Sequence, residues 1–400
     1  MRRILSMTLS AIVGFGCDVN DPRSTLVTTV DTLDGVVHVV NEGDPEHWTL
    51  VPLVTVGAED EGPEAFGRVV SVLLDGAGTI FVADGILKEI KIFDAGGTFA
   101  KSIGRAGSGP GEFGTLASMA WIEDHIAVLD WRNARIGVLD TSGGWVRQWR
   151  VQPITGELAW LHSTGPNEVY ALILRRYEQG LPDIGFVRLT PQGPTDTLIA
   201  PKYQQLGPEP VQCDTPDGGL SVFGVPYWPR QITRPAPGIM LSYAVNNTYQ
   251  IAFLAATDDT VRTVSRNDWT PASITDLEWK EAESQYDDFR ERWGSQARCT
   301  REDRPRPPGK PAMRSWFFDP AGNMWVEAYD QPGFRWDVFD TDGRLIGTLP
   351  APERDERVQP FVRGDRMALV TRNDLDVQFV TVYRIEAVVG GPPRGPGVGG

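Results

Sequence analysis

A repeat of short alternating strands is the feature that most limits what this chain can fold into. Residues 80–84 (IFVAD) and 126–130 (IAVLD) match at an offset of 46, and residues 90–94 (IKIFD) match 136–140 (IGVLD) at the same offset. A turn rich in Asp and Gly follows each second segment. Alternation with period two predicts β-strands, and the turn residues predict tight connections between them.

Further units of this length can be counted along the chain, at 69–104, 117–151, 157–200, 217–265, around 324–343, and 357–385. A period of about 40 to 50 residues with four short strands is typical of a β-propeller, because one blade cannot bury both of its faces alone. The last unit supplies three strands. We expect residues 48–56 to be its fourth, which would close the ring and leave no open sheet edge.

The predicted fold class is therefore all-β, a six-bladed propeller of four-stranded antiparallel blades over 48–389. One helical insertion is expected at about 266–312, where residues 274–293 are rich in Glu, Arg, Ala and aromatic residues. Residues 18–47 are predicted to be a linker and a β-hairpin with its turn at Asp34 and Gly35. The Gly/Pro-rich tail at 390–400 is predicted to be disordered.

Blades one and two also carry a known pattern. The segment 104–113 reads GRAGSGPGEF, and it is followed by the strand at 126–130, by Asn133 and Arg135, and by Gly143. This pattern resembles an NHL repeat, and the chain as a whole is similar to bacterial six-bladed propeller lipoproteins. The other units depart from the pattern.

The N-terminus predicts export. A basic start, Met1 to Arg3, precedes a mostly apolar run at 4–15. This run is too short to span a bilayer, which requires a helix of about 20 residues. Small residues then lead to Cys17, so that 1–17 resembles a bacterial lipoprotein signal in which Cys17 is lipidated. An ordinary secretory signal is the alternative. The expected location is a membrane-anchored lipoprotein that faces the periplasm or the cell surface.

The chain has three cysteines. If Cys17 carries lipid, Cys213 and Cys299 form the remaining pair in an oxidising compartment, and a disulfide between them is predicted.

The formal charge of −15 and a pI near 4.8 argue against binding to nucleic acid, whose phosphates require Lys and Arg. Contact with the membrane is expected through the lipid alone, and we expect a monomer.

Motifs of catalysis are scarce. The sequence has no Gly-x-Ser-x-Gly elbow, no His-Glu-x-x-His and no Walker loop, and its four histidines disfavour a multi-histidine metal centre. No cofactor and no metal ligand is predicted, although the Asp-rich turn at 340–343 keeps calcium open as an alternative to a structural turn. Asp84 and Asp130 are expected to bond to the backbone of their blades.

One face of the predicted ring is expected to be basic, because loops between the second and third strands of the blades carry arginines beside aromatic residues. Such residues are common at recognition surfaces. The candidate ligand-binding residues are Trp131, Arg132, Arg175, Arg176, Tyr177, Trp228, Arg230 and Arg372. A solvated rim of loops is the structural alternative.

The sequence thus favours a cell-envelope binding or scaffold protein that presents a propeller face to a protein, a glycan or a small anionic ligand. The alternative is a metal-dependent propeller lyase, lactonase or hydrolase with a calcium-like ion on the ring axis, whose ligands would come from several blades.

Overall fold

The computed structural model describes residues 25–150, 158–165, 167–175, 183–204, 206–257, 259–331 and 333–388. The predicted signal at 1–17 and the tail at 390–400 lie outside these residues. The described chain starts with the hairpin of β1 (Val27–Leu33) and β2 (Val36–Glu42), continues into β3 (Trp48–Val56), and then forms blades.

The first three blades are four-stranded antiparallel sheets whose strands follow one another in sequence. Blade one contains β4 (Val69–Leu74), β5 (Ile80–Asp84), β6 (Glu89–Phe93) and β7 (Phe99–Ile103). Blade two contains β8 (Leu116–Ile122), β9 (His125–Asp130), β10 (Arg135–Leu139) and β11 (Trp145–Arg150). Blade three contains β12 (Leu158–Gly165), β13 (Glu168–Arg175), β14 (Asp183–Thr190) and β15 (Gly193–Ile199).

A small sheet separates blades three and four. Its strands are β16 (Val211–Asp214), β17 (Leu220–Phe223) and, from beyond blade four, β22 (Arg298–Cys299). Blade four contains β18 (Gln231–Ala236), β19 (Met240–Val245), β20 (Gln250–Leu254) and β21 (Thr260–Arg266). The helix α1 (Asp276–Trp293) and the 3-10 turn Gly294–Gln296 follow, which confirms the predicted helical insertion.

Blade five contains β23 (Met313–Phe318), β24 (Met324–Tyr329), β25 (Phe334–Phe339) and β26 (Leu345–Pro350). Blade six contains β27 (Phe361–Arg363), β28 (Arg366–Arg372) and β29 (Gln378–Ala387), and β3 pairs antiparallel with β29 as its fourth strand. The two ends of the propeller therefore close the ring in one blade, as the sequence predicts.

The core lies between the blades. Within β5, Ile80 and Val82 face the apolar cluster shared with blade six, while Phe81 and Ala83 face the cluster shared with blade two. Alternate side chains of a strand point to opposite faces, so a blade that is covered on both sides buries every residue of such a strand. Among the described residues, one apolar cluster of this kind fills each of the six interfaces between neighbouring blades.

The start of blade four differs from the prediction. The sequence assigned residues 217–265 to this blade and took Leu220–Val222 as one of its strands, but β17 belongs to the small sheet, where Leu220 and Val222 are exposed. The innermost strand is β18, whose sequence QITRPA contains Arg234 and Pro235. Proline is tolerated there because the innermost strand is a sheet edge and needs no ladder N–H at every position.

The predicted disulfide is present between Cys213 and Cys299, on the neighbouring strands β16 and β22. A thiol pair directly opposite in an antiparallel sheet is close enough to bond. Val211, Cys213 and Tyr286 of α1 form a small buried cluster with it. The disulfide therefore ties the helical insertion to the segment that precedes blade four.

The N-terminal hairpin extends blade four to six strands, because β2 pairs in parallel with β21. The buried Asn41 holds it against blade five, since its Nδ2 donates to the Gly343 carbonyl at 3.0 Å and its Oδ1 accepts from the Leu345 N–H at 2.9 Å. Of the helices in the described ranges, none has the length and apolar character that crossing a membrane requires.

Asp84 and Asp130 bond to blade backbone, as predicted. Asp84 accepts the Gly67, Arg68, Ile86 and Leu87 amides, and Asp130 accepts those of Gly114 and Thr115. Asp340 accepts the amides of Asp342 and Arg344. These aspartates fix the joints and tight turns of the repeat.

Candidate functional site

The innermost strands of all six blades enclose a cavity of about 450 Å³, here called the channel. The loop at 354–360, which leads from blade five into β27, also lines it. This volume falls in the range of about 300 to 1,000 Å³ that is common for small-molecule sites. The channel is therefore the candidate functional site.

A β-bulge recurs in the first part of four innermost strands. One extra residue separates Val69 from Ser71 in β4, Leu116 from Ser118 in β8, and Met313 from Ser315 in β23, relative to the partner strand. In β12 the bulge lies between Leu158 and Leu161. A bulge re-aims side chains, and the bulged segments contribute Val70, Trp160 and Arg314 to the channel lining.

The channel is basic although the whole chain is acidic. Its lining includes five arginines against three carboxylates, a surplus of two positive charges. The arginines are Arg230, Arg234, Arg314, Arg354 and Arg357, and the carboxylates are Asp319, Glu327 and Glu356. Strand and loop geometry has concentrated cations at the centre of a chain whose formal charge is −15.

Three of these arginines are neutralised. The buried Glu327 accepts from Arg314 Nε at 2.7 Å and from Arg354 Nη2, and Arg314 also contacts Glu356. Arg357 bonds to Asp355, a buried carboxylate of the same loop, at 2.9 Å through Nε. Bidentate and charge-assisted contacts of this kind hold the wall of the channel in one arrangement.

Arg230 and Arg234 differ from them. Within the described parts of the chain, neither guanidinium has a carboxylate partner: Arg230 Nη2 donates to the Arg314 carbonyl at 2.8 Å, and Arg234 Nη2 donates to Ser315 Oγ at 3.0 Å. Burial, together with the nearby charge of Arg230, lowers the pKa of Arg234 to about 10. Arg234 is therefore still cationic at neutral pH, and its charge is uncompensated.

His162 lines the same channel from β12. Burial, aided by the charge of Arg234, lowers the pKa of His162 to about 3, so that the imidazole is neutral at pH 7. Its Nε2 is buried without a hydrogen-bond partner in the described structure, and its ring meets Phe186 edge-on. His162 therefore adds no charge to the channel.

Trp160 supplies the largest apolar surface that remains open there, with 51% of the residue exposed. Ser71, Ser163 and Ser315 are half-buried around the same space. The channel thus combines two uncompensated guanidinium groups, one open indole face and several hydroxyl groups.

Of the predicted ligand-binding residues, Arg230 lines the channel. Trp131 and Arg132 are exposed between β9 and β10, outside the channel lining. Arg372 bonds to Asp355 and Asp376. Trp228 is half-buried, and its Nε1 donates to the Pro305 carbonyl at 2.8 Å.

Arg176 and Tyr177 lie outside the described residues, as does the side chain of Arg175. Ligand binding by the predicted residues stays a prediction. The sequence also assigned Arg230 to a loop between strands two and three of blade four, which is wrong, because Arg230 lies just before the innermost strand of that blade. Arg234 and Trp160 were not among the predicted site residues; the bulge that carries Trp160 leaves no mark in the sequence pattern.

Glu123, Asp124 and His125 come together in the turn between β8 and β9. Both carboxylates are exposed, and the turn is separate from the channel lining.

Residues 65–151 match the family model DUF5128, described as "6-bladed beta-propeller". No curated protein matches the chain. Among solved structures it is similar to a putative exported protein from Bacteroides fragilis NCTC 9343, at 12% identity, with 87% of this chain and 99% of that chain covered and a TM-score of 0.44.

A member of the DUF4221 family from Bacteroides vulgatus ATCC 8482 has 12% identity, coverage of 86% and 100%, and a TM-score of 0.44. Virginiamycin B lyase from Staphylococcus aureus has 8% identity, coverage of 86% and 100%, and a TM-score of 0.40. With the blades, the ring closure and the matching family model taken together, the chain is an all-β, six-bladed propeller.

Proposed function

We propose that this chain is a cell-envelope binding protein, exported and held at a membrane by a lipid on Cys17, which binds a small anionic ligand in the channel. Its first blades are of the NHL kind. The observation that carries the proposal is the pair Arg230 and Arg234, which face the channel without a carboxylate partner in the described structure.

A cation that has lost water and gained no counter-ion destabilises the fold, and such groups cluster at functional sites. Arg230 is exposed to solvent, so this cost falls on the half-buried Arg234. The neighbouring arginines show the alternative, because Glu327 and Glu356 together neutralise Arg314 and Arg354 in the same wall. An anionic ligand would provide for Arg234 what Glu327 provides for its neighbours. The uncompensated charge of Arg234 destabilises the free protein, so its presence is explained by ligand binding and not by a contribution to stability.

Titration calorimetry with acetate, inorganic phosphate and D-glucuronate at low ionic strength tests the proposal. We expect one site per chain for at least one of them, and a roughly 10- to 100-fold weaker affinity for Arg234→Gln, since a charged hydrogen bond contributes about 1.5–3 kcal/mol. Arg292→Gln, at an exposed arginine of α1 outside the channel lining, is the control and should bind normally.

Two readouts contradict the proposal: no binding of any of the three anions, or equal binding by Arg234→Gln and the unchanged protein. Thermal unfolding of the free proteins gives an independent check. Removing an uncompensated, desolvated cation should leave the Tm of Arg234→Gln unchanged or higher, whereas loss of a structural contact would lower it.

The lipid anchor is tested in cells of the source organism by labelling with a fatty-acid analogue. We expect label on the unchanged chain and none on Cys17→Ser, which should also leave the membrane fraction. Label that persists in the variant would refute lipidation at this residue.

The metal-dependent alternative requires carboxylates that can take a cation. Glu327 and Glu356 bond to arginines, and Asp319 accepts from Asn323 Nδ2 at 2.9 Å and Trp325 Nε1 at 3.1 Å. A calcium ion would have to displace these partners next to the surplus positive charge of the channel. We therefore favour the anion, and saturable calcium binding by calorimetry would reverse that preference.

A further inference from the structure

We infer that the anionic group is carried by a sugar ring: the channel binds an acidic sugar, such as a uronic acid unit, with its carboxylate at Arg230 and Arg234 and one face of its ring against Trp160. This inference rests on the proposed function and adds the ligand class.

The size of the channel excludes an inorganic anion as its best occupant. A cavity of about 450 Å³ takes an organic molecule, and a single phosphate or acetate would leave most of it filled with water. The ligand therefore has a body beyond its charged group, and the walls of the channel define what that body is.

Trp160 provides the platform for that body. It lies in the bulged part of β12, which is adjacent to both β18 and β23, the strands that carry Arg234 and Ser315. A large aromatic side chain with half of its surface open, inside a cavity, buries apolar area when a ligand enters. The flat C–H face of a pyranose fits an indole ring, while its hydroxyl groups point sideways.

The surrounding polar groups match those hydroxyl groups. Ser315 Oγ accepts from Arg234, which leaves its O–H free to donate, and Ser163 Oγ retains acceptor capacity while it donates to the Gly165 carbonyl at 3.3 Å. Gln359 is exposed on the loop that lines the channel and offers a further acceptor and donor. A benzoate-like ring would leave all of these groups without a partner from the ligand.

Charge separates an acidic sugar from a neutral one. A carboxylate pairs with Arg234 and with the exposed Arg230, whereas a neutral sugar would leave the half-buried Arg234 without a counter-ion in the occupied channel. We therefore expect the carboxylate and the ring to contribute together, and the loss of either to weaken binding strongly.

The experiment is titration calorimetry at low ionic strength with D-glucuronate, D-glucose, acetate and benzoate. We expect glucuronate to bind at least tenfold more tightly than each of the other three. Trp160→Ala should weaken glucuronate binding at least tenfold and leave acetate binding unchanged, because acetate has no ring. Trp293→Ala is the matched control, since Trp293 is a half-buried tryptophan at the end of α1 and lies outside the channel lining.

Each other outcome overturns the inference in a distinct way. If acetate binds as tightly as glucuronate and Arg234→Gln abolishes both, the anion site stands and the sugar ring is wrong. If benzoate binds more tightly than glucuronate, the ligand is an aromatic acid. If no anion binds, the proposed function fails as well. Circular dichroism and the Tm of Trp160→Ala establish that the variant is folded, as expected for a side chain with half of its surface in solvent.

Discussion

Removal of the disulfide is the perturbation whose size the structure defines best. Cys213 and Cys299 are 86 residues apart, and all four strands of blade four lie between them. The bond therefore closes a loop around an entire blade, together with α1. We expect the segment to unfold together with the ring, so that the disulfide constrains the unfolded chain in the global transition.

The magnitude follows from loop closure. For a loop of this length the chain-entropy relation gives about 4.6 kcal/mol at 25 °C. A folded domain of this size has an unfolding entropy on the order of 0.7 kcal/mol/K, so the Tm should fall by roughly 7 °C. The double variant Cys213→Ala/Cys299→Ala and the reduced protein should give the same shift.

Differential scanning calorimetry of the oxidised protein, the reduced protein and the double variant measures this shift. A change below about 1 °C would refute the reasoning, because the segment from β16 to β22 would then open separately from the ring. Limited proteolysis identifies that case, since cleavage would be confined to the insertion.

Three further outcomes are expected. Glu327→Gln should lower the free energy of unfolding, measured by chemical denaturation, by about 3 kcal/mol, because two arginines lose their buried counter-charge. The same variant should bind anions in the channel more tightly. Parallel losses of stability and of anion binding would contradict the assigned charge balance. Burial alone would raise the pKa of Asp337, but Arg335 and Arg266 hold that pKa below its usual range. The ionised Asp337 therefore stabilises the fold above about pH 4, the pKa of an aspartate in the unfolded chain, and this stabilisation is lost as the pH falls below that value. The Tm of Asp337→Asn should depend less on acid pH than the Tm of the unchanged protein. Equal acid dependence would refute this assignment. Gly343→Ala should lower the free energy of unfolding by about 2 kcal/mol or more, because φ is +87° and the new Cβ would lie 2.5 Å from Val264 Cγ2. Gly364→Ala, also at positive φ but with open space around it, should lower the free energy of unfolding less. Equal losses would mean that the contact with Val264 does not matter.

The repeat could be read from the sequence because it depends on local chemistry. Strand alternation in blades one and two and the Asp–Gly turns act within a few residues, and aspartates such as Asp84 satisfy nearby amides. Ring closure by β3 followed from counting, since the last unit lacked one strand. The cysteine pair followed in the same way, from the two thiols that are left if Cys17 carries lipid.

Blade four could not be read in this way. Its innermost strand contains Arg234 and Pro235, residues that are unfavourable in an ordinary strand and are accepted at a sheet edge that faces the channel. The more strand-like segment at Leu220 instead joined the small sheet. The hairpin of β1 and β2 gave no indication that it would pair in parallel with β21, because that contact joins residues more than 200 positions apart.

The sequence by itself determined the propeller class, the helical insertion and the disulfide pair, since each depends on period, composition or count. Only the tertiary structure decided that Arg234 and Trp160 would share one cavity. A bulge shifts side-chain direction by one position, and the six innermost strands that form the channel come from distant parts of the chain. Which charges are compensated is likewise a property of neighbours in space, and it distinguishes Arg234 from Arg314.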